Sequence, residues 1–215
     1  MKKYLIILLF LFSLPAAGQT VSSFPSGLGL EIGFGSNELL WGLRDSEGDR
    51  SVFQLSLSSR IYYKINLSQS IKLKPFFGYI RFGGVSEEQD NGYKDEFYFD
   101  AFEFGGLAVL EEESLPLNFS LGLKVKKYTN AVSKAYGGIF DEPGTERNWI
   151  EQDASFFFDK YSFNIGAGVG TSFSNFYITM EYWVGLNDFK NDDLFNSDDP
   201  KIKENHYRLF LGYQL

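Results

Sequence analysis

The sequence contains no cysteine, a single histidine, and no apolar run beyond its first eighteen residues that is long enough to cross a bilayer as a helix. The lack of cysteine excludes a lipid-anchored N-terminus after the small residues that end the first apolar run. It also removes the disulfide framework by which small exported ectodomains are often held. With His206 as the one histidine, no thiol and no nucleophile motif, hydrolytic chemistry would fall to carboxylates alone. The net charge of −8 provides no basic surface for nucleic acid.

The chain opens with the anatomy of a secretory signal: Lys2 and Lys3, an apolar run from Leu5 to Leu14, then Pro15, Ala16, Ala17 and Gly18. Cleavage after Gly18 is expected, making residues 1–18 a signal peptide and residues 19–215 a single domain. If an exported chain without spanning helices lives in a membrane, it does so as a closed barrel, because an open sheet leaves backbone groups unpaired in lipid.

What is abundant is aromatic: 13 Tyr and 23 Phe, as expected of a barrel with aromatic girdles. Steps of two residues predict eight strands. The first, about Gly27 to Gly35, sets Leu28, Leu30, Ile32 and Phe34 against glycines and Glu31. The second, Ser51 to Ile65, sets Phe53, Leu55, Leu57, Ile61 and Tyr63 against Gln54, Ser56, Ser58, Arg60 and Lys64. In the third, Lys72 to Phe82, the apolar phase before Pro75 disagrees with Phe76, Ile80 and Phe82 after it, which predicts a bulge. The fourth is Tyr98 to Leu110, the fifth Leu117 to Lys126, the sixth Lys160 to Phe173 and the seventh Phe176 to Leu186. The eighth, from His206, alternates Tyr207, Leu209, Leu211, Tyr213 and Leu215 with Arg208, Phe210, Gly212 and Gln214. It is the expected assembly strand, pairing with the first.

The predicted connectors alternate in length. Asn66 to Ser70, Glu111 to Pro116 and Ser174 to Asn175 are short; Asn37 to Arg50, Gly83 to Phe97, Thr129 to Asp159 and Asp188 to Asn205 are long and polar. Tight periplasmic turns and longer external loops have this asymmetry, and an even strand number puts both termini in the periplasm. A soluble barrel of similar strand count would be apolar inside, and the sequence leaves open which face is inward. The polar face, however, is the one rich in Gly and Ser, as a narrow interior requires.

On this topology and the terminal strand, the chain resembles the small eight-stranded outer-membrane β-barrels of the OmpA/OmpX type over Gly27 to Leu215, in a short form without a periplasmic domain. It departs from them in ending on Leu215, where Phe or Trp is usual. The resemblance implies an all-β, single closed antiparallel up-and-down transmembrane barrel in a Gram-negative envelope. Its implied partners are outer-membrane lipids and lipopolysaccharide and the barrel-assembly machinery, with no cofactor. It also implies a monomer.

Seven charges fall on the face assigned as interior: Glu31, Arg60, Glu103, Lys124, Lys126, Glu181 and Arg208. In a narrow barrel, opposite charges pair and fill the lumen; the other reading is a gated, low-conductance path. Strand adjacency sets Glu31 between Arg60 and Arg208, with Glu181 near Arg208. His206 is expected at the outer rim as an interfacial residue. The external loops carry Glu87, Glu88, Asp90, Tyr93, Asp95 and Glu96, and again Asp188, Asp192, Asp193, Asp198 and Asp199. These are solvated polar loops or weak divalent-cation sites, without the spacing of a calcium loop. Two functions stay open: a structural or surface-binding barrel acting through its loops toward an extracellular ligand, and a porin-like conduit or secretion-associated component. A lipid-modifying barrel enzyme is a distant third, since Arg208 rather than a serine stands two residues after His206.

Overall fold

The computed structural model describes residues 26–41, 54–85, 95–111, 116–136, 149–188, 190–191 and 201–215. Residues 1–18, the acidic residues Glu87, Glu88 and Asp90 with Tyr93, and the acidic residues Asp192, Asp193, Asp198 and Asp199 lie outside them. Nine strands are formed among the described residues: β1 (Gly27–Trp41), β2 (Gln54–Asn66), β3 (Ile71–Val85), β4 (Asp95–Glu111), β5 (Asn118–Tyr136), β6 (Trp149–Asp153), β7 (Tyr161–Phe173), β8 (Phe176–Gly185) and β9 (Ile202–Gln214). No helix among these residues is long and apolar enough to cross a membrane.

All pairings are antiparallel: each strand pairs with the next in sequence except that β5, not β6, pairs with β7, and β1 closes on β9 from Gly29↔Gln214 to Trp41↔Ile202. The result is a closed eight-stranded up-and-down barrel. The short β6 stands outside that count, because β5 pairs with β7 up to Lys127 and with β6 only from Val132 onward. The strand number, meander order and closure are those of the small closed barrel expected from the sequence.

Period-two alternation sorts the side chains. Leu28, Leu30, Ile32 and Phe34 of β1, Leu55, Leu57, Ile61 and Tyr63 of β2, and Phe163 and Ile165 of β7 are exposed on the outer wall. The inward phase carries charge, hydroxyls and glycine. Glycine is required where large inward rings cross the barrel: a Cβ on Gly212 would lie 2.0 Å from the Tyr177 ring, and one on Gly166 would lie 2.3 Å from Trp183.

Three sequence expectations need correction. β3 has no bulge at Pro75: its register with β4 is continuous from Ile71↔Leu110 to Val85↔Glu96, and the stretch before Pro75 and the stretch after it share one inward phase. What changes along β3 is the chemistry of that phase, from Lys72 and Lys74 to Ile80 and Phe82, all buried. The irregularity lies instead between Asp100 and Ala101 of β4, which oppose Asn130 and Tyr128 of β5, leaving Thr129 as the extra residue. Finally, β1, β5 and β9 run well past their expected ends, and β6 occupies part of an expected loop. Those extensions stand beyond the apolar outer wall. Their outward residues are mostly polar, such as Glu38, Lys127, Asn130, Lys134 and Lys203, and the alternation of the lower strands disappears although the strand does not.

Candidate functional site: the filled barrel interior

At mid-barrel, each strand delivers its inward residues to one charge network. Arg60 of β2 donates two hydrogen bonds to Glu181 of β8, at 3.1 and 2.7 Å, in a bidentate pair. Its guanidinium lies between the rings of Phe76 and Phe210, 4.4 and 3.7 Å from their centroids. Trp183 Nε1 donates to the same Glu181 at 2.7 Å. Glu103 of β4 accepts from Arg208 of β9 at 2.8 and 2.9 Å and from Lys124 of β5 at 2.7 Å, and lies 3.7 Å from Arg60 Nε. Glu31 of β1 pairs with Lys74 of β3, with Arg60 Nη1 3.7 Å away. Lys126 reaches Glu204 and the Nε2 of His206, and Ser162 donates to Glu204 at 2.7 Å. Nearly all of these groups are fully shielded from solvent.

Below the network, toward the short turns, Lys74 also donates to the Tyr177 hydroxyl at 3.2 Å and sits over the Tyr62 and Tyr177 rings. Lys64 donates to both oxygens of Glu111 at 2.7 and 2.8 Å, and Lys72 to the carbonyls of Ser68 and Gln69. The short-turn mouth contains a cleft of about 30 Å³, lined in part by Lys64, Lys74, Glu111 and Tyr177. That is space for roughly one water. Above the network, toward the long connections, the interior is apolar: Leu39, Ile80, Phe82, Phe99, Ala101, Tyr128, Ala131, Ala154, Phe158 and Ile202 form one cluster. Phe82 and Phe99 stack at 5.1 Å, and Phe99 meets Phe158 edge-on at 4.8 Å.

All seven charges singled out from the sequence point inward and are buried. The adjacency expectation holds in part: Glu31 stands beside Arg60 in the ladder with the two side chains 3.7 Å apart, and Glu181 beside Arg208, but the closest partners lie elsewhere. Glu31 and Arg208 do not meet: β1 sets Gly212 beside Glu31 and Gly35 beside Arg208, four residues apart along the strand. Glu181 stands beside Arg208 in the ladder, yet its carboxylate crosses to Arg60 while Arg208 crosses to Glu103. A narrow lumen makes strands on opposite walls as near as adjacent ones. His206 is not interfacial. It shares the inward phase of Arg208, is fully buried, lies edge-on 5.1 Å from Phe82, and places Nδ1 against the side-chain oxygen of Asn37. Lys64, Lys72, Lys74 and Glu204 were missed as members, although the first three sit in the inward phase of their own strands. Glu204 lay in an expected loop.

In β9 the residues Tyr207, Leu211 and Tyr213 are exposed on the outer wall and Leu209 is half-buried there; Leu215, one residue past the strand, is exposed. Leu215 N donates to the Leu28 carbonyl at 2.9 Å beyond the last ladder pair. Of the acidic loop residues that are described, Asp188 accepts from the backbone N–H groups of Lys190 and Ile202. Among the described residues no group of three or more His, Cys, Asp or Glu is arranged to hold a metal ion.

No family model matches this chain, and no curated protein matches it. Among solved structures, it is similar to Neisserial surface protein A, at 11% identity and a TM-score of 0.49, over 88% of this chain and 98% of that one. It is also similar to Ail, the attachment invasion locus protein of Yersinia pestis, at 16% identity and a TM-score of 0.45, over 89% and 100%. The N-terminal β-barrel domain of Pseudomonas aeruginosa OprF is 9% identical with a TM-score of 0.37, over 88% and 100%. These are likenesses of fold.

Proposed function

We propose that this chain is exported through a cleaved signal peptide and resides in the bacterial outer membrane with both termini periplasmic. There it acts as a structural or surface-binding barrel through its long connections rather than as a conduit or an enzyme. The membrane reading rests on the outer wall. From Leu55 to Ile65, the outward residues of β2 are apolar or aromatic except Ser59. Ten residue steps at ~3.3 Å, tilted by about 40°, span about 25 Å, the height of the apolar band of such barrels. Tyrosines border the band on both sides: Tyr63 and Tyr213 toward the short turns, and Tyr79, Tyr161, Tyr182 and Tyr207 toward the long connections. Outer-membrane lipids, lipopolysaccharide and the barrel-assembly machinery are the partners this placement brings, and the barrel is self-contained as a monomer.

The observation that carries the sealed, non-conducting reading is the stacking of two different fillings in one lumen. A paired charge network lies below, and a ten-residue apolar cluster lies above it. An ion would have to break buried pairs and then pass a dry aromatic layer. Pure refolded protein in planar bilayers is expected to show no steady conductance. Stable single-channel steps from wild-type protein would overturn the sealed reading in favour of the conduit.

A further inference from the structure

Where β5 changes partner, the wall of the barrel has a recess on its outer face. β5 pairs with β7 through Lys127↔Tyr161 and with β6 from Val132↔Asp153, and the chain between β6 and β7 turns outward through a short 3-10 segment, Ser155–Phe157. Across the gap, Tyr128 N donates to the Lys160 carbonyl and Ala154 N to the Ala131 carbonyl, both on the backbone. The flap is held from one side: Asn191 donates to the Phe156 carbonyl, and Asn187 accepts from Phe163 N and donates to the Tyr161 carbonyl. The fork thus leaves a cavity of about 720 Å³ on the outer face, within the size range of small-molecule sites.

Its lining is two-sided. Phe156, Tyr161 and Phe163 are exposed apolar faces, and Tyr161 and Phe163 also belong to the outer apolar wall, so the trough is continuous with the surface assigned to lipid. Toward the long connections it is closed by Asn130, Asp159 and Lys160. Lys160 is exposed, and Lys127, beside Tyr161 in the ladder, places a second outward ammonium at the same level.

We infer that this fork is a binding site for one phosphate-bearing lipid of the surrounding leaflet, with an acyl chain in the Phe156–Tyr161–Phe163 trough and the phosphate at Lys160. An acyl chain entering the trough meets a flap whose Phe156, Phe157 and Lys160 carbonyls are already bonded. The phosphate meets a cation at the depth where the apolar wall ends. The inference rests on the membrane reading above.

The full chain, refolded into nanodiscs of phosphatidylcholine with added phosphatidylethanolamine or with added diacylglycerol, is extracted and weighed by native mass spectrometry. Boiled and unboiled samples are run beside it on a gel. Co-migration of the two gel samples would sink the membrane-barrel reading itself. With a heat-dependent shift in place, wild-type barrel is expected to retain one phospholipid and little diacylglycerol. Lys160→Glu should lower phospholipid retention at least fivefold, while Phe156→Ser lowers retention of both lipids. Lys201→Glu, an exposed charge change elsewhere at the same end, should leave retention unchanged. Equal retention by wild type and Lys160→Glu, or equal retention of phospholipid and diacylglycerol, would overturn the site. Displacement by inorganic phosphate alone would overturn its assignment to a lipid.

Discussion

The two halves of the interior differ more than the two faces of a single strand. Toward the short turns, β3 offers Lys72 and Lys74 to the lumen with Ile71 and Leu73 outside; toward the long connections it offers Ile80 and Phe82 to the lumen with Arg81 outside, exposed and paired to Asp100 at 2.8 Å. The strand does not change phase between them. The lower half follows the rule of a strand in lipid, polar inside and apolar outside. The upper half follows that of a strand in water, apolar inside and polar outside. The switch marks where the apolar outer band ends, and on the membrane reading proposed above the same alternation that builds the wall also records its depth in the bilayer.

The largest expected effect separates the two fillings. Removing one member of a buried pair leaves the survivor charged and unpaired, which costs ~3 to 5 kcal/mol, whereas removing both can be nearly neutral. Glu103→Gln, which strands both Arg208 and Lys124, is therefore expected to destabilise the barrel most in detergent, Arg208→Leu less because Lys124 still holds Glu103, and the double variant by less than their sum, as read by urea unfolding. A second cycle sharpens the geometry: Glu31→Gln and Arg208→Leu should add, because these residues belong to different pairs. Strong coupling between Glu31 and Arg208 would show that adjacency along the wall, not contact across the lumen, organises the charges.

In the upper half the same experiment should look different. Phe99→Ala removes a ring packed against Phe82, Tyr128 and Phe158, at a cost of about 3 kcal/mol for a buried aromatic. It creates no unpaired charge, so no second-site deletion should restore the loss. If that variant begins to conduct ions while the Glu103/Arg208 double variant stays silent, the apolar layer is the tighter seal; the opposite result would assign the seal to the charges.

The smallest effect is expected outside both fillings. Lys134 of β5 pairs with Glu151 of β6, and this hydrogen bond raises the lysine pKa above its ordinary value. Both side chains are largely solvated, and exposed pairs contribute little. Lys134→Met should leave the unfolding midpoint unchanged and alter only the local exchange rate of the β5–β6 amides. A clear drop in midpoint would mean that β6 is part of the cooperative barrel rather than an appendage.

How much of this was legible depended on the half of the molecule. Eight strands, the alternation of short and long connections, the inward set from Glu31 to Arg208 and the outward face of β9 could all be read from period two, because a lipid-type strand advertises both of its faces. Above the apolar band the advertisement fails. Ser36 and Glu38 face outward in β1 and Lys203 in β9, so those extensions looked like loops, and the apolar residues inside β3 looked like a slipped register. His206 stood in the inward phase all along, but its strand was expected to begin at that residue, which suggested a rim.

By itself, then, the sequence determined the architecture and the depth-dependent identity of each face, because strand geometry forces residues two apart to the same side wherever the chain is extended. Only the tertiary structure decided the pairing partners. Closing eight strands into so narrow a tube brings opposite walls within reach of one arginine, so Arg60 finds Glu181 and Arg208 finds Glu103 across the lumen. It also decided the fork at β5, where one extra residue, Thr129, and a change of partner from β7 to β6 leave an opening on the outer face that backbone bonds still span. No periodicity records that opening, since it depends on which edge a strand finds free once the barrel has closed.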